Sequence, residues 1–299
     1  MRKLLPLLLL SACGGSGPFQ AQVAAPARGF QLITPELKIA AGQEQLWCST
    51  FAPRDADTLI TAVENYQAPG GHHAALFMIE SDYVAGALPA RCDGVNSGIE
   101  MTQWRFLGSG NPAEGVDKFP DGVALLLPKG KTLMVQSHYL AGKSGIDARD
   151  VINVVTGDPA KSYTQANYWI LGDTGLKVPQ GAYQTGADCV IDTDINVLDI
   201  RGHTHQYGNL FQLDRLLPAQ QLYRQTDGPL MRVDPPRQKY PLEAPLKLGA
   251  GEKLHYTCGW NNTTDHQLQF PEEMCQGIVL YYPSKGFVVC DGGQTSVLP

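Results

Sequence analysis

Residues Val197–Leu213 read VLDIRGHTHQYGNLFQL, an apolar run that predicts one long β-strand carrying two histidines. His203 and His205 stand two positions apart, and such residues point to the same face of a strand. Two imidazoles side by side are suited to hold a metal ion, and Arg201 falls on the same face. The alternative is a solvated strand face with two polar residues, which His-x-His favours when it is taken alone. A metal site therefore requires further ligands elsewhere in the chain.

The composition is that of a β-rich chain with many turns. Of 299 residues, 32 are Gly and 21 are Pro, whereas charged residues make up only 17%, less than in most globular chains. The net charge of −6 argues against nucleic acid as a partner. Past the N-terminus, no stretch approaches the ~18 consecutive apolar residues of a transmembrane helix.

Short apolar runs between turn signals predict strands along the whole chain. We place them at Gln45–Phe51, Thr58–Tyr66, Ala74–Ile79, Val123–Leu127, Thr132–Leu140, Val151–Thr156, Asp188–Ile195, Val197–Leu213, Leu222–Arg224, Lys253–Cys258, Gly277–Tyr282 and Gly286–Cys290. Asn167–Leu171 and the turn residues 172–175 are interpreted as the crossing between two domains. No long stretch has helical periodicity. We therefore predict an all-β fold of two tandem antiparallel, jelly-roll-like β-sandwiches, over residues 30–165 and 166–299.

The N-terminus predicts a bacterial lipoprotein signal. A basic start precedes the apolar run Leu4–Leu10, and residues 10–13 (LSAC) match a lipobox. Residues 1–12 would be removed as a signal peptide, Cys13 would carry the lipid, and residues 13–29 would form a flexible tether. Gly14 after the cysteine, rather than Asp, is typical of outer-membrane sorting in a Gram-negative cell. We expect a cell-envelope location; the alternative is an ordinary secretory signal that contains a cysteine.

Six further cysteines are expected to form disulfides, because an exported chain matures in an oxidising compartment. Many pairings are possible from the count alone. If the chain divides near residue 165, Cys48 and Cys92 are alone in the first half and pair with each other. In the second half, Cys258–Cys275 would close a short segment of the chain. Cys189–Cys290 would then tie the start of the domain to its end. The alternative, a thiolate metal site, lacks a C-x-x-C spacing.

A second histidine pair, His72-His73, follows two glycines and precedes a predicted strand. Adjacent residues of a regular strand face opposite ways, so both can bind one metal only if the backbone is irregular, and the glycines permit a bulge. His138 lies in another predicted strand, with Gln136 on its face. His72, His73 and His138 would make a three-imidazole site in the first half. For His138, the alternative is a hydrogen-bonded buried histidine.

The candidate third ligand beside His203 and His205 is Met274, which follows two carboxylates and adjoins Cys275. A disulfide at Cys275 would hold the loop that carries the sulfur. A thioether selects Cu(I), whereas imidazole suits copper in both oxidation states. The set therefore favours copper that cycles between oxidation states over zinc. The alternative is a methionine that fills the core.

These motifs together resemble the copper type II, ascorbate-dependent monooxygenases, a family that includes peptidylglycine α-hydroxylating monooxygenase and dopamine β-monooxygenase. Their order and approximate spacing agree over residues 40–292. The resemblance implies two β-sandwiches with one copper each. It also implies the three bridges Cys48–Cys92, Cys189–Cys290 and Cys258–Cys275. The motifs that carry it are His72-His73, His138-Tyr139, His203-Thr204-His205 and Glu273-Met274-Cys275.

By this resemblance, His72, His73 and His138 hold an electron-transfer copper. His203, His205 and Met274 hold the catalytic copper, where O2 binds. Ascorbate or another one-electron reductant would supply the electrons, and a small-molecule or peptide substrate would be hydroxylated at a C–H bond. We expect a monomer.

The expected substrate side of the pocket contains Arg201, Gln136, Gln276 and Ile278. Arg201 matches an arginine that engages the substrate carboxylate in the peptide enzyme, and Gln136 matches a glutamine between the copper sites. The alternatives are a surface ion pair of Arg201 with Asp199 and a solvated Gln136. Gln276 and Ile278 depart from the asparagine and tyrosine of the peptide enzyme, which makes the pocket more apolar and peptide α-amidation doubtful.

Three functions follow as hypotheses. The first is a membrane-anchored copper monooxygenase. The second is a copper-binding lipoprotein that stores, senses or delivers the metal without chemistry. The third is a secreted adhesion scaffold with a degenerate site, against which the retention of all six ligands argues. Arg201 and Gln136 favour the enzyme over the carrier, because holding copper requires neither residue.

Overall fold

The computed structural model describes residues 23–79, 90–92, 104–110, 116–270 and 272–298. The predicted signal peptide 1–12, Cys13 and the tether up to residue 22 lie outside the described residues. No helix in the described ranges is both long and apolar enough to cross a membrane.

The elements are almost entirely strands, which confirms the all-β prediction. They are β1 (Gly29–Ile33), β2 (Leu37–Ile39), β3 (Glu44–Phe51), β4 (Thr58–Gln67), β5 (Gly71–Ile79), β6 (Ala90–Arg91), β7 (Arg105–Gly110), β8 (Val116–Lys118), β9 (Val123–Leu127), β10 (Thr132–Leu140), β11 (Ile146–Ala148), β12 (Asp150–Thr156), β13 (Thr164–Gly172), β14 (Lys177–Val178), β15 (Gly181–Val190), β16 (Ile195–Thr204), β17 (Gly208–Arg215), β18 (Gln220–Gln225), α1 (Gly228–Val233), β19 (Gln238–Lys239), β20 (Leu246–Leu248), β21 (Lys253–Asn262), β22 (Leu268–Gln269), β23 (Cys275–Tyr282), β24 (Phe287–Asp291) and β25 (Gln294–Leu298).

Two sandwiches form because the strands bury apolar side chains on facing sheets. In the first, the five-stranded sheet β6-β3-β10-β5-β7 packs on β12, β4 and β9, and Leu76 and Val135 meet Ile60 and Ile152 in one core. In the second, the four-stranded sheet β15-β21-β17-β18 packs on β13, β23 and β16 around Phe211 and its neighbours.

One 12-stranded sheet runs through both sandwiches. β13 crosses the predicted boundary at residue 165 and joins the halves: its first residues pair in parallel with β9, and the remainder pairs with β23 and β24. The pairs of β13 with β9 and β24 are parallel, whereas its pair with β23 is antiparallel. The two halves are thus connected by continuous backbone hydrogen bonds.

The prediction of one strand over Val197–Leu213 is wrong. β16 ends at Thr204 and β17 begins at Gly208, and the two strands belong to different sheets. His205 lies in the tight crossing between them, where the Gly208 N–H donates to the His205 carbonyl at 3.3 Å. A Cβ at Gly208 would lie 2.1 Å from Thr204 Oγ1, so glycine is required there. The predicted strand Asp188–Ile195 is likewise divided, since β15 ends at Val190 and β16 begins at Ile195.

The predicted bulge at the first histidine pair is confirmed. On β5, His73 pairs with His138, but the next pair along the ladder is Gly71 with Tyr139. His72 is therefore the extra residue, and the irregularity turns it toward the side of its neighbour. Gly70 precedes the bulge with φ +91°, a conformation that L side chains rarely adopt.

The three predicted disulfides are confirmed. Cys48–Cys92 joins β3 to the residue directly after β6, and Cys189–Cys290 joins β15 to β24. Cys258–Cys275 joins β21 to the first residue of β23, directly after Met274. The last bridge fixes the start of the strand that follows the candidate sulfur ligand.

Candidate metal centre

His72, His73 and His138 form a compact cluster in the first sandwich. Their ligand atoms all lie within 4.8 Å of one another. His72 Nδ1 is 3.2 Å from both His73 Nδ1 and His138 Nδ1. That separation is expected of nitrogens each about 2 Å from a common ion. The three Nδ1 atoms therefore fit a metal ion held between them.

The remaining ring nitrogen of His138 is held by a carboxylate. Glu44, at the start of β3, accepts a hydrogen bond from His138 Nε2 at 2.8 Å. The same oxygen, Oε1, accepts from Arg232 Nη2 of α1 at 2.6 Å. The hydrogen bond with His138 lowers the pKa of Glu44 to about 2, and the Arg232 charge acts in the same direction. Burial opposes this shift but does not outweigh it. A proton on Nε2 leaves the lone pair of His138 on Nδ1, toward the other two histidines.

Burial keeps the other histidines of both sets neutral at pH 7. It lowers the pKa of His72 to about 4 and that of His73 well below the ordinary value, and the neighbouring imidazoles act in the same direction. It also lowers the pKa of His203 to about 3 and that of His205 to about 4. A neutral imidazole has the free lone pair that a metal ligand needs.

His203 and His205 are oriented by backbone carbonyls. His203 Nδ1 donates to the Met231 carbonyl at 2.9 Å, and His205 Nδ1 donates to the Glu272 carbonyl at 3.1 Å. Both rings therefore keep their lone pair on Nε2. Met274 is buried directly before β23, and it borders the same cavity as His203 and His205. Two imidazoles and a thioether are a donor set that suits copper.

Glu273 fixes the turn that carries His205. Its carboxylate is fully buried and accepts hydrogen bonds from the backbone N–H groups of His205, Tyr207 and Met274, the last two at 3.0 Å. Burial raises the pKa of this carboxyl, although the backbone donors oppose the rise. One side chain thus connects the β16–β17 crossing to the start of β23.

The two sets meet across the space between the sandwiches. The ring centroids of His73 and His203 are 6.3 Å apart, and those of His203 and His205 are 5.2 Å apart. A cavity of about 720 Å³ is bordered by members of both sets, including His73, His138, His203, His205 and Met274. Copper binding by either set stays a prediction, but one cavity reaches both.

Arg201 borders this cavity with its charge already paired. Its guanidinium donates to Asp117 Oδ2 of β8 at 3.0 Å and to the Tyr168 hydroxyl at 3.3 Å, and Asp199 Oδ1 is 3.7 Å away. Arg237 adds a second bond to Asp117 at 2.6 Å. Burial acts to raise the pKa of Asp117, but the two guanidiniums outweigh it and hold that pKa at about 2. The ion pair with Asp199, which was the alternative interpretation of Arg201, is present, but it is buried rather than on the surface.

The other predicted substrate residues also border the cavity. Gln136 is buried on β10, two residues before His138. Gln276 and Ile278 lie on β23, opposite His203 and Arg201 respectively. A substrate contact by any of them, or by Arg201, stays a prediction.

Sequence reasoning missed the residues that orient the candidate ligands. Glu44, Arg232 and the Met231 carbonyl act on the two histidine sets, and Asp117 pairs with Arg201. None has a local sequence signal, because each partner is distant in the chain. Glu273 alone was detectable, as a carboxylate within the Met274 motif.

Residues 180–296 match the family model "Copper type II ascorbate-dependent monooxygenase, C-terminal domain". The match contains His203, His205 and Met274, and it covers most of the second sandwich. It supports the monooxygenase resemblance for that half and, with it, the dependence of the family on copper and ascorbate.

No curated protein matches the chain. A crystal structure of peptide-N(4)-(N-acetyl-β-D-glucosaminyl) asparagine amidase is similar at 12% identity and a TM-score of 0.36, over 88% of this chain and 98% of that one. A structure of the infectious bursal disease virus Gx strain is similar at 8% identity and a TM-score of 0.19, over 86% of this chain and 72% of that one. Neither likeness is close enough to carry a functional argument.

Proposed function

We propose that the protein is a copper-dependent monooxygenase that hydroxylates a C–H bond of a small-molecule or peptide substrate. The reaction consumes O2, two electrons and two protons, and it yields the alcohol and water. Ascorbate or a similar one-electron reductant supplies the electrons. The observation that carries the proposal is the single cavity of about 720 Å³ bordered by both ligand sets, together with the family match of residues 180–296.

Each ligand set has a distinct task in this proposal. Copper supplies one-electron redox chemistry and O2 activation when it is bound. His72, His73 and His138 hold the electron-transfer ion through Nδ1. His203 and His205 hold the second ion through Nε2, with Met274 as the third ligand. Three protein ligands leave a coordination position open, as a reactive metal site requires.

The cavity walls orient the substrate and exclude water. Ile278 and its apolar neighbours cover the side facing Arg201, while Gln136 and Gln276 offer amide groups beside the histidines. Water exclusion protects reactive intermediates from side reactions.

The test is coupled turnover. Full-length protein loaded with copper is given ascorbate, O2 and a panel of candidate substrates, and O2 consumption is compared with hydroxylated product. We expect O2 consumption to be coupled to product formation, and we expect Met274→Ala to abolish this coupled turnover. Met78→Ala is the matched control, because Met78 is partly buried outside this cavity. Retained turnover in Met274→Ala would contradict the proposal.

A carrier role is the second candidate. The ring distance of 6.3 Å between His73 and His203 places the two sets close enough to hold a small cluster of copper ions. Binding of two coppers without coupled turnover on any substrate would favour this role. Absence of copper uptake would contradict both functions.

We also propose that Cys13 anchors the protein, as a monomer, in the bacterial cell envelope. Cleavage before Cys13 and lipid attachment there follow from the lipobox of residues 10–13. Labelling with a radioactive fatty acid should mark the wild-type chain and not Cys13→Ser, and the variant should leave the membrane fraction.

A further inference from the structure

We infer that the cavity takes a substrate with an apolar body and no carboxylate. This rests on the proposed function and narrows it. The first observation is the charge balance around Arg201. Asp117 and Asp199 are buried beside Arg201 and Arg237, so two carboxylates face two guanidiniums. Arg201 therefore presents no net charge to a ligand.

The surroundings of Arg201 are apolar on the cavity side. Its Cζ lies 5.5 Å from the centroid of the Phe106 ring, and its cross-strand neighbour is Ile278. The nearest carboxylate, Asp117, is fixed in the core at 1% exposure and already balances the charge of this guanidinium. Further apolar residues border the same cavity: Phe77, Trp104, Ile170, Phe287, Val289 and Leu298.

The other charged residues bordering the cavity are mostly acidic. Arg232 is paired with Glu44. The remaining described carboxylates there are Asp173, Asp234, Glu272 and Asp291. Like charges repel, so these carboxylates also disfavour the binding of an anionic ligand.

Two probes of the same shape test this inference. Copper-free, full-length protein is titrated with 3-phenylpropanamide and with 3-phenylpropanoate, and binding is followed by ligand-observed NMR. We expect the neutral amide to bind at least tenfold more tightly. Equal or tighter binding of the carboxylate would overturn the inference, and so would the absence of amide binding at millimolar concentration. A failure of copper chemistry would be seen only in the turnover assay, so the two outcomes are separable.

An independent observation concerns α1, and from it we propose that Arg232 and Glu44 are positioning residues that couple the two ligand sets. Neighbouring residues of α1 contact both sets. The Met231 carbonyl accepts from His203 Nδ1 at 2.9 Å, while Arg232 Nη2 donates to Glu44 Oε1 at 2.6 Å. Glu44 Oε1 in turn accepts from His138 Nε2 at 2.8 Å.

The path therefore runs from His203 through the adjacent residues Met231 and Arg232 to Glu44 and on to His138. Met231 is fully buried, so the helix cannot shift without moving the carbonyl that holds His203. Arg232 and Glu44 belong to different sandwiches, and their bond also fixes the two halves relative to each other. A carboxylate on the second nitrogen of a ligating histidine fixes the ring and raises its basicity, and losing such a partner lowers metal affinity about 10–100-fold.

The test measures copper rather than turnover. Full-length Arg232→Gln and Glu44→Gln are titrated with Cu(I) against a chromophoric chelator, and the Cu(II) forms are examined by electron paramagnetic resonance. We expect both variants to lower the affinity for one of the two copper ions about tenfold or more. The hyperfine splitting of that copper should also change. Arg232→Lys should recover part of the loss, because it keeps the charge near Glu44.

Arg215→Gln is the matched control. Arg215 forms a similar partly exposed pair with Glu252 at 2.6 Å, on the second sandwich. The Arg215→Gln substitution should change neither the affinity nor the spectrum of either copper. Coupling is measured by a double-mutant cycle between Arg232→Gln and His203→Ala. The effects of the two substitutions on the affinity for the His72/His73/His138 copper should not be additive. Wild-type affinities and spectra in Arg232→Gln, or additive effects in the cycle, would overturn the proposal.

Discussion

Replacing Asp117 by Asn should destabilise the fold strongly, because it leaves the Arg201 guanidinium buried without its closest carboxylate. The two side chains are only 1% and 3% exposed, and the bond between them is 3.0 Å. Removing one partner of a buried ion pair costs about 3–5 kcal/mol. The lowering of the Asp117 pKa from 3.8 to about 2 corresponds independently to about 2 kcal/mol at neutral pH. Since Asp199 remains near Arg201, we expect a loss of about 2–5 kcal/mol.

The pH dependence of this loss has a defined sign. The pKa of Asp117 is lower in the folded state than in the unfolded state, so its contribution is fully present above the unfolded value of 3.8. It is lost as pH falls toward the folded value of about 2. The difference between wild type and Asp117→Asn should thus be constant near neutrality and shrink below about pH 5.

Denaturant unfolding of the copper-free protein, followed by tryptophan fluorescence, measures both effects. Glu252→Gln is the control, because it breaks the partly exposed pair with Arg215 and should cost no more than about 1 kcal/mol. A loss for Asp117→Asn as small as that of the control would refute the reasoning. A difference that does not shrink between pH 5 and pH 2 would refute it as well.

Three further predictions concern single sites. Gly202→Ala should lower the free energy of unfolding by about 1–3 kcal/mol, because a Cβ there would lie 2.2 Å from Phe211 Cδ1. Denaturant unfolding measures this loss, and an unchanged stability would contradict the packing. Burial raises the pKa of Asp150 to about 6, so its contribution to stability is complete below about pH 4 and is lost as pH rises through 6. Asp150→Asn should therefore flatten the dependence of stability on pH over that range. An unchanged pH dependence would contradict the raised pKa of Asp150. Replacing Cys258 and Cys275 by Ala should cost about 3 kcal/mol for a loop of this length, seen as a lower thermal midpoint than in wild type; an unchanged midpoint would contradict it.

Local features of the site were predictable because their causes are local. Strand alternation forbids two adjacent histidines on one face, so a bulge at His72 was required if both were to serve one ion, and the preceding glycines allow it. The bridges also agreed with expectation, since division of the chain left Cys48 and Cys92 together. The error over Val197–Leu213 has the opposite cause. The crossing at residues 205–208 (HQYG) is short and polar, and a single glycine also occurs inside strands, so only the assignment of β16 and β17 to different sheets divides the run.

Contacts between distant residues were not predictable. Arg201 and Asp117 are 84 positions apart, and Arg232 and Glu44 are 188 apart. Each is an ordinary charged residue in its own segment. Arg201 was expected to face a substrate carboxylate, and the structure places two aspartates beside it.

The sequence by itself determined the all-β fold, the disulfide framework and the residue types able to hold copper, because alternation, turn residues and donor chemistry are properties of short segments. The tertiary structure decided which nitrogen of each histidine faces the candidate metal position, that one cavity borders both candidate ligand sets, and that the charge of Arg201 is already balanced. These depend on burial and on carbonyls and carboxylates brought from remote strands, which no local pattern specifies.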